Sequence, residues 1–175
     1  MTRRVLLRTL LCALLIAPVA GRCQTPPADG AVLTAAQASA ILPATVFFRG
    51  QSASIQARNS SGVRFSKDAL LLTALVDTSG YSSAIQQTYQ AYLIIEAPIE
   101  LAGHRVVPGA YGFGFLADNK FILLDIGGHP LFTAESHPDA ALHRPMPLQI
   151  FAQSAGSRRY KLYSGRNFVE FAMTQ

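Results

Sequence analysis

The densest run of side chains able to do chemistry lies in residues 127–147, where His129, His137 and His143 stand beside Glu135 and Asp139. Imidazoles and carboxylates are the ligands of zinc and copper, so the three histidines form a candidate metal set, with zinc as its occupant. Their spacings of eight and six residues match no zinc motif. His129 and His137 each precede a proline, which holds them in extended backbone. The preferred reading is therefore a polar, proline-rich loop whose His129 and His137 would meet a ligand. His104 stands apart in a glycine turn.

Other chemistry is thinner. No Gly-x-Ser-x-Gly elbow, His-Glu-x-x-His pair or Ser-x-x-Lys at a helix start is present, so the common hydrolase signatures are missing. Glu96 and Asp125 each close a strongly apolar stretch, and burial there would raise a carboxyl pKa into the range of a general acid. The plainer reading is a charge placed where a strand reaches water. Residues 77–87 form a second long polar segment, with Tyr81 and Gln86 as its candidate ligand-binding side chains. Tyr offers a flat apolar face and a polar tip, although the chain has no Trp to strengthen a stacking platform. In the glycine-rich stretch from Gly109 to Phe115, alternation sets Tyr111, Phe113 and Phe115 on one face and Ala110, Gly112 and Gly114 on the other. Three aromatics would fill a core while the glycines admit a bulky neighbour. The competing reading is a smooth shelf for a flat ligand.

The first 23 residues set the expected compartment. Arg3, Arg4 and Arg8 precede a short apolar run and a small-residue exit, the pattern of a secretory leader cleaved after Gly21 or Cys23. The apolar run is too short for ~30 Å of hydrocarbon, so no membrane anchor is expected once the leader is removed. Arg22 before Cys23 disfavours lipid attachment. Cleavage after Cys23, the preferred site, shrinks the net charge from +5 to +1, because Arg3, Arg4, Arg8 and Arg22 leave and every acid follows residue 23. A basic pI is thus no sign of nucleic-acid binding. Arg158 and Arg159, with Lys161 and Arg166, read as the solvated edge of a hairpin. With Cys12 in the leader and Cys23 at the cut, no internal disulfide is expected, and about 150 residues can bury a core without one.

The elements that must position these residues are mostly strands. Thr34 and Gln37 fit a capping box opening one short helix that Pro43 ends. From Thr45 the period is two. Residues 54–58 and 63–65 read as a hairpin around the turn 59–62, while Ala69 to Val76 reads as a strand buried on both faces. Further strands follow to residue 173 at short spacing, with turns at Gly103, Asp118-Asn119, Gly156 and Gly165. The expectation is an all-β chain: an antiparallel β-sandwich or partly open barrel of roughly ten strands with one short N-terminal helix. Residues 1–23 would be leader, 24–30 a flexible tail and 31–175 a single domain.

The run from Ile99 to Phe113, with its Gly103 turn and Pro108-Gly109-Ala110-Tyr111 entry into a strand, resembles exported bacterial β-sandwich domains of uncharacterised function. Phe47-Phe48-Arg49-Gly50-Gln51 and the stretch from Arg58 to Phe65 are similar to the same group. The resemblance implies the sandwich fold and export, and brings no catalytic residues.

Together these readings describe a periplasmic or secreted, non-catalytic binding or structural domain. Its partner would be a cell-envelope component, a small ligand or another protein, and it could pair with its own copy through a strand edge. The alternative is an exported enzyme, metal-dependent through the histidine loop or carboxylate-based through Glu96 or Asp125.

Overall fold

A computed structural model describes residues 28–154 and 156–174; the leader and the first part of the expected tail lie outside the described residues. Among the described residues, fourteen strands form two antiparallel sheets that do not close into a barrel. The first sheet joins β1 (Ala31–Leu33), β3 (Gln51–Ser66), β4 (Ala69–Val76), β5 (Ala91–Ile95), β8 (Gly109–Leu116), β9 (Lys120–Leu124) and β10 (Pro130–Glu135) in that order, with β2 (Thr45–Phe48) also on β3. The second runs β12 (Gln149–Ala152), β13 (Arg159–Ser164), β14 (Asn167–Met173), β6 (Ile99–Leu101) and β7 (His104–Val106), with β11 (His137–Pro138) also on β14.

The main core lies between the sheets. Val63, Leu71, Leu93, Phe113 and Leu123 of the first meet Leu101, Ile150, Tyr160, Leu162, Val169 and Phe171 of the second. These are the alternate residues of each strand, as the pleat requires. The first sheet is buried on its other face too. Leu72 and Ala74 face Ala38 and Leu42 beneath α1 (Ala35–Ser39), and Val76, Tyr92, Ile122 and Leu124 face Val46, Phe48, Tyr81 and Tyr89. This explains why β4 is apolar but for Thr73, which is itself buried. Thr34 caps α1 as expected, its hydroxyl accepting from Gln37 N at 3.3 Å while Gln37 Oε1 accepts from Thr34 N at 2.9 Å.

Three expectations need correction. A second helix, α2 (Ser83–Thr88), joins the expected one. The 54–65 hairpin is instead a single strand, β3, which turns back only after Ser66. Between the pairs Ile55–Val76 and Ser60–Ala74, four β3 residues face one on β4, a wide bulge. The Ser60 hydroxyl lies 2.7 Å from Ala57 O and 3.0 Å from Ala35 O, tying the bulge to α1. Gly62 serves close approach rather than a turn. A Cβ there would stand 2.6 Å from the Leu71 carbonyl oxygen and 2.9 Å from Leu72 Cδ2. Finally, 127–147 is not one loop, because β10 and β11 lie within it. In β10 only Phe132 and Ala134 are partly covered, so its alternation is faint, and Pro130 at its start fits an edge strand.

The glycine strand behaves as its alternation predicts. Tyr111 and Phe113 enter the main core, and a Cβ on Gly112 would stand 2.6 Å from Phe48 Cε2 and 2.8 Å from Tyr89 Cδ2. The shelf is filled by the protein's own rings. Gly62→Ala and Gly112→Ala should each lower stability by about 1–3 kcal/mol through overpacking, with Gly62→Ala the worse because its neighbour is backbone. Urea midpoints equal to the parent's would refute this account of both glycines.

Candidate functional site

Tyr81 belongs to the core, and its expected place on an exposed recognition loop is corrected. It is 5% exposed, and its hydroxyl is shared between Phe48 O at 3.1 Å and Gln51 O at 3.3 Å. Its ring meets Tyr89 edge-on at 5.5 Å, while Tyr89 stacks on Phe48 with centroids 3.7 Å apart. Gln86 is exposed on α2, and its Nε2 donates to Tyr81 O at 2.7 Å, pinning the loop to the helix. The residues of 77–87 thus fasten the β2–β3 ribbon over the first sheet. Tyr89 is fully buried, yet its hydroxyl finds no hydrogen-bond partner among the described residues. Burial holds its pKa far above the ordinary phenol value.

His129 sits in the β9–β10 turn, half of an exposed pair with Asp125. Asp125 Oδ1 accepts from His129 N at 2.9 Å and Oδ2 lies 3.0 Å from Nδ1. Those hydrogen bonds hold the Asp125 carboxyl below its usual pKa. The β2–β3 turn docks here, with Arg49 N donating to Ile126 O at 2.8 Å and the Arg49 stem against Gly128. No hydroxyl or thiol among the described residues bonds to the imidazole, so the pair is a turn clasp. Glu96 is likewise occupied with backbone, accepting from Leu70 N at 3.0 Å.

His143 lies exposed in the segment before β12. That segment is strapped to the second sheet: Arg166 donates to Leu142 O at 2.7 Å, and the Tyr163 hydroxyl donates to Asp139 at 2.8 Å. Burial and the Asp139 carboxylate push the Tyr163 pKa up to about 12. His129 and His137 are separated by the six residues of β10, about 20 Å of extended chain. The three histidines therefore do not converge, and no group of three His, Cys, Asp or Glu among the described residues could hold a metal.

Of the expected site residues, His137 borders a cavity. A slot of about 420 Å³ opens where the chain crosses from β10 to β11. Alanines 102, 134 and 172, with Gly103, give it a low lining, and Glu100, Glu135, Glu170, His137 and Arg159 stand around it. Register explains the assembly. Ala172 pairs with Arg159 on one side and Glu100 on the other, and Glu170 is opposite Lys161. All point to the outer face, since Phe171, Leu101 and Tyr160 between them point inward. Lys161 leans 4.0 Å over the Phe168 ring, and Phe168 also meets the His137 ring at 5.6 Å. Among the described residues the slot's one ion pair is Glu135 with Lys120, at 3.4 Å. Sequence reading takes Arg159 as the solvated edge of a hairpin and Glu100 as a strand-end charge, and passes over Glu170, because the three come from separate strands. The available signal was that each is a charged outward position on an alternating strand.

No protein family, curated protein or solved structure matches this chain.

Two measurements test these assignments. Tyr81→Phe should cost about 1 kcal/mol by removing a satisfied buried hydroxyl, whereas Tyr89→Phe should be neutral or stabilising. Equal losses in urea would show that Tyr89 has a partner. The His129 amide shift should titrate with Asp125 at a midpoint below the usual 3.8, the clasp being intact above that pH and released as pH falls through it. A midpoint at or above 3.8 would contradict the hydrogen bonds that hold Asp125 ionised.

Proposed function

We propose that the chain is an exported, non-catalytic binding domain of the bacterial cell envelope, and that the slot on the outer face of its second sheet is its ligand site. The observation that carries the reading is the slot itself: about 420 Å³, bordered by five ionisable side chains from β6, β10, β11, β13 and β14. That volume falls within the range of small-ligand sites, and its position on paired strands gives the side chains a fixed spacing. The 77–87 segment and the glycine strand are taken up by internal packing, which leaves the slot as the better surface. Export rests on the leader, whose basic start, short apolar run and small-residue exit fit removal after Gly21 or Cys23.

The test has two parts. Chain recovered from the periplasm or medium should have an intact mass short by 21 or 23 residues; full-length mass in those fractions would overturn the leader reading. Small molecules detected by ligand-observed NMR should be lost from Ala172→Trp, which fills the slot from its floor without touching the inter-sheet core. Hits that bind Ala172→Trp as well as the parent would place the ligand site elsewhere.

A further inference from the structure

Resting on the slot as the ligand site, we infer that its ligand is a small amino acid with a cationic excess, carrying its ammonium groups to Glu100 and Glu170 and its carboxylate to Arg159. Charges of both signs border this cavity, and the sheet register keeps them apart. Arg159 and Glu100 flank Ala172 on opposite sides, two strand spacings or about 10 Å between their backbones. Glu170 lies diagonally from both. Its direct cross-strand neighbour is Lys161, the natural partner for a carboxylate, but that ammonium lies over the Phe168 ring instead. Within 4 Å, neither Glu100, Glu170 nor Arg159 has an ion-pair partner among the described residues.

Two carboxylates and one guanidinium separated by a floor of alanine and glycine match a ligand with two cationic groups and one anionic group. The guanidinium fork suits a carboxylate taken bidentately, while carboxylates receive ammonium groups with less demand on direction. Glu135 is engaged by Lys120 and so stands outside this count. A purely cationic ligand would leave Arg159 facing like charge. A purely anionic one would meet two carboxylates. The low floor leaves room for a methylene chain between the charged ends.

Four related probes separate the possibilities: L-lysine, 6-aminohexanoate, 1,5-diaminopentane and hexanoate, titrated into the exported chain at low ionic strength while the Ala172 and Gly103 amides are followed by NMR. Lysine should bind tightest, 6-aminohexanoate next, and diaminopentane at least roughly tenfold more weakly than lysine. Arg159→Gln should remove lysine's advantage, weakening lysine and, with the like charge gone, strengthening diaminopentane, and added salt should weaken lysine binding to the parent. If diaminopentane matches lysine in the parent chain, the role of Arg159 is wrong while the slot stands. If hexanoate binds best, the charge match is wrong. If no probe moves either amide up to about 10 mM while ligands found by screening still require an open slot, the amino-acid inference fails alone. If those ligands also bind Ala172→Trp, the slot reading fails with it.

Discussion

The first sheet must be covered on both faces, and most of the chain's irregular features follow from that constraint. An eight-residue strand such as β4, apolar but for Thr73, whose hydroxyl is bonded to Tyr92 O, has no side it can turn to water. One face packs on the second sheet. The other needs a separate cover, and the chain builds it from α1, from the β2–β3 ribbon and from the 77–89 segment. Gly112 provides a close point of that cover, since the absence of a side chain lets Phe48 and Tyr89 stack directly on the strand. The wide bulge in β3 belongs to the same solution, because it bends one long strand so that its first half pairs with β2 and its second half with β1. Stacked rings in a buried site add a fraction of a kcal/mol to about 1.5 kcal/mol beyond their area, so the ribbon is held by packing more than by the Tyr81 hydrogen bonds.

The second sheet faces the opposite condition. Only its inner face is needed for the core, so its outward positions are free to carry charge. Near β12 that face is closed by the 139–147 segment, fastened through Arg166 and Tyr163. Toward β6 it stays open, and there the charged positions border the slot. A chain that needed only solubility would gain from letting Lys161 pair with Glu170 across the strands. The lysine instead covers Phe168, whose ring would otherwise be more exposed on that face.

Strand periodicity made much of the fold legible. The capping box at Thr34, the doubly buried run in β4, the tight turns at Ala102-Gly103 and Asp118-Asn119, and the aromatic face of β8 follow from local rules. The 59–62 turn misled because Asn, Ser and Gly are turn residues by type, yet here they serve a bulge and a close backbone approach that only the neighbouring strand reveals. β10 was hidden by Pro130 at its start and by its half-exposed alternation. Tyr81 misled for a related reason: a tyrosine amid serines and glycine reads as exposed, and its burial depends on a ribbon some thirty residues earlier.

The slot was the least legible feature, and the reason is geometric. Strand alternation sets which side of β13 carries Arg159 and which side of β14 carries Glu170, but their proximity depends on register across β6, β14 and β13. A slip of one residue in β14 would turn Glu170 and Ala172 inward and bring Phe171 to the surface. That slip is opposed by the burial of Val169 and Phe171 in the main core. The apolar residues between the sheets therefore fix the spacing of the charges outside them. A ligand site on this face inherits the rigidity of the core, which is the condition for long, exposed Arg and Glu side chains to act as a matched set.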